Sequence, residues 1–215
     1  MMDVFGDRQQ ELLKLLLKSK TGMSMDEIAT RLKITRPAAR QHLVALERLA
    51  YVERGELVAT GGRPGQIYRL SVKGHDLFPK QYSWFSEILL DSLKKEMGSP
   101  ALKQLMHRLG EEVAMQSAEK VQGETLPERV RETAKLMTDL AYQAEASLTG
   151  KENAGAPPVI EATNCVYHAL ATQFPEVCQF DLSLLEKLTG AKVVHEQCIV
   201  RGGACCRFRF VAKKS

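Results

Sequence analysis

All five cysteines of this chain, Cys165, Cys178, Cys198, Cys205 and Cys206, fall within the last 51 of its 215 residues. Thiolates are soft donors, and a set of them in one region suits an iron–sulfur cluster, a zinc ion or thiol redox chemistry. The spacing is C-x12-C-x19-C-x6-C-C. It contains no CxxC, which argues against a zinc ribbon or a thioredoxin-type site, and the odd count argues against a purely disulfide framework. Ligands so widely spaced must be brought together by the fold. A lone cysteine is most often a small buried apolar residue, but five cysteines in one stretch with none in the preceding 164 is not a packing distribution. Cys205 and Cys206 are adjacent and alternate faces on a strand, so only one is expected in a common site, and Cys206 is the expected one. A helix N-terminus near Cys165 would help hold thiolate charge. His168 and His195 are possible nitrogen donors, although such histidines are more often surface or satisfied core residues.

A second group of residues could read DNA. The stretch Thr35-Arg36-Pro37-Ala38-Ala39-Arg40-Gln41-His42 opens a helix that is expected over 36–50. Thr35 is the expected cap, and Pro37 sits in the first turn, where a missing N–H costs nothing. Arg36, Ala39, Arg40 and Gln41 are read as its outward face, with His42 beside them. Arginine pairs bidentately with guanine and glutamine with adenine. Thr35 and the free amides of the helix start suit a phosphate. Arg63, between glycines at a hairpin tip, is placed to reach the minor groove or the backbone.

The elements that must position these groups follow from periodicity and caps. Residues 7–19 read as a helix with Asp7 as its cap and Leu12, Leu13, Leu16 and Leu17 as its apolar stripe. Ser24 and Glu27 make a capping box for a short helix over 25–32. Leu43, Leu46 and Leu49 are expected to be buried under the recognition helix. Two β segments, 51–58 and 66–70, flank a Gly- and Pro-rich reversal, and a short helix closes the module. Helix, helix, helix, hairpin is the order of a winged helix-turn-helix. Further helices are expected over 80–98, 100–121 and 127–149. Leu89, Leu90, Leu93, Met97, Leu102, Leu105, Met106 and Leu109 recur there at helical spacing, as in a core or a dimer seam. Gly150–Pro158 reads as a linker. Beyond it, strands at 159–163, 192–200 and 206–211 alternate with helices at 165–174 and 176–189. The expected fold is therefore mainly α with α+β parts. A winged helix-turn-helix DNA-binding domain spans 1–80, a helical linker or dimerisation region 81–150, and a C-terminal α/β sensor domain carrying the cysteines 151–215.

Composition sets outer bounds. Hydrophobic residues make up 44% and charged residues 26%, ordinary values for a globular protein. No apolar run approaches the ~18 residues of a membrane span, and the first residues lack a signal-peptide pattern. A cytoplasmic protein with reduced thiols is expected. Residues 1–80 hold 14 Lys and Arg against 9 Asp and Glu, so the basic excess lies with the DNA reader. There is no Gly-rich phosphate loop, no G-x-S-x-G and no paired His–carboxylate motif, so an enzyme is not expected.

Three stretches carry a family likeness: Gly62-Arg63-Pro64-Gly65-Gln66-Ile67-Tyr68-Arg69-Leu70-Ser71-Val72-Lys73-Gly74; Asn164-Cys165 with Phe174-Pro175-Glu176-Val177-Cys178; and Cys198-Ile199-Val200-Arg201-Gly202-Gly203-Ala204-Cys205-Cys206-Arg207-Phe208. Together they resemble the SufR family of iron–sulfur-sensing repressors of cluster-assembly operons. The resemblance implies a homodimer on double-stranded operator DNA with a 4Fe–4S cluster in each subunit. It carries over most directly to Cys165, Cys178 and Cys206, and Cys198 matches a cysteine of many relatives. Gly203 stands where those relatives often have an acidic residue, and Cys205 is an extra thiol. Beside it stand two further readings of the residues: a zinc- or thiol-redox-responsive winged-helix regulator, and a small-molecule-sensing regulator with structural cysteines.

Overall fold

The computed structural model describes residues 2–58, 65–147 and 157–213. The chain forms two compact units, Met1–Gln81 and Tyr82–Ser215.

The first unit is built as α1 (Asp7–Leu17), β1 (Met23–Ser24), α2 (Met25–Leu32), α3 (Arg36–Arg48), β2 (Val52–Val58), β3 (Gly65–Leu70) and α4 (Val72–Asp76). The capping box of α2 forms as expected: the Ser24 hydroxyl accepts from the Glu27 amide, and the Glu27 carboxylate accepts from the Ser24 amide at 2.8 Å. Lys33, with φ of 53°, ends α2 and turns the chain toward α3. Leu12, Leu13, Ile28, Leu43 and Leu46 are almost fully buried and make the core with Val52, Tyr68 and Leu70 from the sheet. The sheet order is β1-β3-β2, all antiparallel. Three local expectations shift. Gly6, not Asp7, occupies the cap of α1. Leu17 and Leu49 lie at helix ends, past the edge of the core, and are exposed.

The second unit comprises α5 (Tyr82–Ser117), α6 (Leu126–Asp139), β4 (Ala144–Ser147), β5 (Val159–Ala162), α7 (His168–Gln173), α8 (Cys178–Thr189), β6 (Lys192–Gln197) and β7 (Cys206–Val211). The two helices expected over 80–121 are the two arms of α5, bent at Gly98, whose φ of 77° a side-chain-bearing residue rarely adopts. The helix expected over 127–149 is shorter. It ends at Asp139, and Ala144–Ser147 is a strand. Ala141 and Gln143 take positive φ there, and the Asn164 amide holds the Ala141 carbonyl at 2.6 Å. Backbone pairing of β4 with β5 outweighs the helical propensity of Ala144-Glu145-Ala146. This strand also joins what the sequence divides at residue 150. The helix and edge strand from 81–147 belong to the same compact unit as residues 157–213. The intervening linker, up to residue 156, lies outside the described residues.

The four-stranded sheet runs β4-β5-β7-β6, antiparallel throughout. Ile160, Phe208 and Phe210 are almost fully buried on its inner face, with Val130, Met137 and Leu185 in the same core. Alternation puts Cys206 on the face of Phe208 and Phe210. On the opposite face Arg207 pairs with Glu161 and Glu196, and Arg209 with Glu196.

Candidate nucleic-acid interface and thiol site

In the first unit, Thr35 caps α3, its hydroxyl accepting from the Ala38 amide at 3.4 Å, and Pro37 sits in the first turn. Arg36, Arg40 and Gln41 are exposed along that helix, and His42 is half-buried. Arg36 pairs with Asp26 at 3.2 Å, which steadies the guanidinium at the mouth of the helix-turn-helix. Ala39 is a correction: it is fully buried. Ala39, Leu43 and Leu46 recur at i, i+4 and i+7, so they share the face that packs on the core, and Ala39 cannot meet a base. Arg63 lies outside the described residues.

One basic position was not anticipated from sequence. Arg54, on β2, lines the same 520 Å³ groove as Arg36, Arg40, Gln66 and Tyr68. Its guanidinium bonds Glu47 of α3 at 2.7 Å, which raises its already high pKa further. Outward alternation on β2 is the signal that could have found it. The groove therefore presents basic groups from both the recognition helix and the hairpin. Replacing Arg40 by alanine is expected to weaken operator binding by about 1–3 kcal/mol and to relax preference at one base pair. Fluorescence anisotropy with a labelled operator measures both, and unchanged affinity removes Arg40 from base readout.

In the second unit, the cysteines come from four separate segments. Cys165 lies in the turn after β5; its carbonyl accepts from the His168 amide at 3.1 Å, and its sulfur accepts from the Tyr167 amide. It therefore stands three residues before α7 rather than within a helix. Cys178 is the first residue of α8. Cys198 follows β6 and opens the single turn Ile199–Arg201, where the Gly203 amide returns to its carbonyl at 2.9 Å. Cys206 opens β7, with the Ile199 amide on its sulfur. A charge on Cys198 would raise the thiol pKa of Cys165, Cys178 and Cys206, which places these sulfurs in one neighbourhood. Cys205 sits on the other face, with its thiol donating to Gln197 Oε1 at 3.7 Å. All five thiols are free.

Cys198 and Cys206 belong to the apolar core of the second unit, and Cys178 packs against it. Burial pushes the Cys178 thiol up to about 12 and the Cys206 thiol up to about 11, and raises that of Cys165 as well. Asp181, one turn beyond Cys178 on α8, is half-buried, and its desolvation lifts its carboxyl to about 6; it accepts from the Tyr142 hydroxyl at 2.6 Å. Tyr142 and Tyr167 meet edge to face at 6.3 Å and wall one side. His195 also reaches the site: one of its ring nitrogens, Cys198 Sγ and Cys206 Sγ all lie within 4.8 Å of one another. Its ring stacks on Phe208 at 4.7 Å, and Nε2 is buried with no hydrogen-bond partner among the described residues. His168 is exposed on α7.

This donor set fits a thiolate-ligated metal or cluster. The second unit supplies four soft ligands in Cys165, Cys178, Cys198 and Cys206, none is tied in a disulfide, Cys198 and Cys206 lie within 4.8 Å of each other, and a buried imidazole nitrogen lacks any partner among the described residues. High thiol pKa values do not oppose this, because binding a metal ion displaces the thiol proton. No described helix is long and apolar enough to cross a membrane.

Residues 8–65 match the family model for the HTH domain. No curated protein matches the chain. Among solved structures, the chain is similar to a mutant of MepR from S. aureus, with 21% identity and TM-score 0.32 over 53% of this chain and 81% of that one. It is also similar to a possible transcriptional regulator from Methanosarcina mazei Go1, with 16% identity and TM-score 0.31 over 45% and 82%. The phenol-responsive sensory domain of the transcription activator PoxR aligns with 13% identity and TM-score 0.46 over 80% and 88%. The helix-turn-helix match runs from α1 to the start of β3 and takes in α3, which lines the basic groove with the hairpin, so the first unit is a DNA-binding domain of the helix-turn-helix type.

Proposed function

We propose that this chain is a DNA-binding transcriptional regulator controlled by a 4Fe–4S cluster held by Cys165, Cys178, Cys198 and Cys206, and that it represses genes of iron–sulfur cluster assembly. The observation that carries the proposal is a set of four free thiols from four segments of one compact unit, with Cys198 Sγ and Cys206 Sγ within 4.8 Å of each other, reinforced by the resemblance of the cysteine stretches to the SufR family. When bound, a cluster supplies an oxidisable, iron-dependent cross-link among its thiolate ligands. The chain's own residues do the rest. With a cluster bound, Cys165 and Cys178 would tie the starts of the α7 and α8 segments to the β6–β7 hairpin that carries Cys198 and Cys206. The test is anaerobic purification with visible spectroscopy and iron and sulfide assays. Broad charge-transfer absorption with about four irons and four sulfides per chain supports the reading. A colourless protein that also resists reconstitution removes it and leaves the DNA-binding half intact.

The regulator acts as a homodimer in this reading, because a single recognition helix reads only one half-site and paired half-sites lie about one helical turn apart. The first turns of α5 offer the seam. Tyr82, Trp84, Phe85, Ile88 and Leu89 are exposed there, the three aromatics at 59–71%. Five large apolar side chains exposed on two successive turns form a contiguous patch of the kind that marks an interaction surface. Phe85→Glu should convert a dimer to single chains in sedimentation velocity and weaken operator binding in parallel. A variant that stays dimeric removes this face as the seam.

A further inference from the structure

The most compact ligand group among the described residues is narrower than a cluster requires. One ring nitrogen of His195, Cys198 Sγ and Cys206 Sγ lie within 4.8 Å of one another. A single tetrahedral ion with bonds of about 2.3 Å to sulfur and about 2.0 Å to nitrogen sets its ligand atoms roughly 3.4–3.8 Å apart, so the three need to close by about an ångström at most. The terminal thiolates of a 4Fe–4S cluster each bond a different iron, and they splay further apart than the ligands of one ion.

The local backbone holds this trio independently of Cys165 and Cys178. His195 pairs with Phe208 across β6 and β7, and the stacked Phe208 ring fixes the imidazole plane. A register shift between His195 and Gln197 re-aims the end of β6. The Ile199–Arg201 turn then brings Cys198 back beside Cys206. Gly203 completes it: a Cβ at that position would stand 2.9 Å from the Cys198 carbonyl, so any side chain would press on the turn. The buried Nε2 of His195 has no hydrogen-bond partner among the described residues, so the ring has a nitrogen not committed to the protein.

We infer that His195, Cys198 and Cys206 form a mononuclear site for a zinc-class divalent ion, with solvent at the fourth position, and that this ion occupies the hairpin when no cluster is present. The two thiols give up their protons on binding, and no electron transfer is involved. The site goes beyond the cluster reading in needing His195. It rests on that reading in one respect only: both groups use Cys198 and Cys206, so their occupancies exclude each other.

The experiment is an anaerobic titration of cluster-free full-length chain with Co²⁺, followed by displacement with Zn²⁺. One equivalent of Co²⁺ should give visible bands of tetrahedral cobalt and near-ultraviolet thiolate charge transfer, and one equivalent of Zn²⁺ should bleach them. Cys178→Ser should keep this spectrum. Cys198→Ser should abolish it or halve its charge-transfer intensity. His195→Ala should lose tight binding; should that variant fail to fold, His195→Gln, which keeps side-chain bulk, serves in its place. Weak, octahedral cobalt spectra in the wild-type chain overturn the site, as does a tetrahedral spectrum that survives the His195 and Cys198 substitutions. The two readings fail separately. Tight cobalt binding without any reconstitutable cluster leaves this site standing and removes the cluster. A cluster without tetrahedral cobalt binding does the reverse.

Discussion

Cys165→Ser is expected to leave anaerobic reconstitution without cluster absorption and to hold operator affinity at the value of the cluster-free wild type, whatever iron and sulfide are supplied. Three features make this the most consequential cysteine substitution in the second unit. Cys165 is the only thiol contributed by the turn between β5 and α7, so no neighbouring sulfur can take its place. Its side chain is only half-buried, so the loss of a sulfur there opens no large cavity and the unit should still fold. A serine hydroxyl is a hard, weakly acidic donor and a poor substitute for thiolate on iron. Coupling free energies between effector and ligand sites usually span about 1–3 kcal/mol, so loaded and cluster-free wild type should differ about 5- to 150-fold in operator affinity, a difference the variant lacks. Cys205→Ser is the control. That thiol faces Gln197 on the other side of the strand, so this variant should retain both the cluster and the full difference. Equal responses from the Cys165 and Cys205 variants would sink the proposed coupling.

How much of this was legible in the sequence depends on how local the signal is. The first unit was readable almost element by element because caps, breakers and apolar stripes act within a few residues. Ser24 with Glu27, Thr35 with Pro37, and the leucines of α1 and α3 each specify their own helix. Ala39 was misjudged because a small apolar residue fits either face, and only its i+4 and i+7 partners Leu43 and Leu46 assign it to the core. In the second unit, the end of α6 and the start of β4 depend on pairing with β5, a partner distant in sequence, so Ala144-Glu145-Ala146 reads helical when taken alone. Strand alternation was enough to turn Cys206 inward and Cys205 away. It could not bring His195 to Cys206, because that approach needs both the β6–β7 register and the irregularity after His195. Asp181 and Tyr142 meet across α8 and the α6–β4 turn, a contact that no sequence spacing announces.

Gly110→Val should lower the unfolding midpoint of the second unit more than any other single substitution of similar size. Glycine inside a helix costs about 0.5–1 kcal/mol relative to alanine, so its presence in α5 calls for a packing reason. The crossing of α5 and α8 supplies it. A Cβ on Gly110 would stand 2.1 Å from Ser183 Oγ, 2.3 Å from the Phe180 carbonyl oxygen and 3.1 Å from the Leu184 amide. Ser183 could rotate, although its hydroxyl donates to the Phe180 carbonyl at 3.1 Å and it is 1% exposed. The carbonyl and amide belong to the backbone of α8 and cannot rotate away, so the whole helix must move. Overpacking of this kind usually costs about 1–3 kcal/mol, and a branched side chain against main-chain atoms belongs at or above the upper end. For a unit of this size, that is a fall of roughly 5–10 °C in Tm. The displacement also has a chemical readout, because α8 begins at Cys178 and carries Asp181. Reconstituted iron per chain should therefore fall along with Tm in Gly110→Val. In Gly55→Ala, whose Cβ would meet nothing nearer than 3.6 Å in the first unit, both should stay at wild-type values. Calorimetry with iron assays on the two variants decides the matter. A Gly110→Val chain with the wild-type Tm would mean that α5 and α8 stand further apart than a backbone contact at Gly110, while full iron at a lowered Tm would mean that Cys178 tolerates movement of its helix.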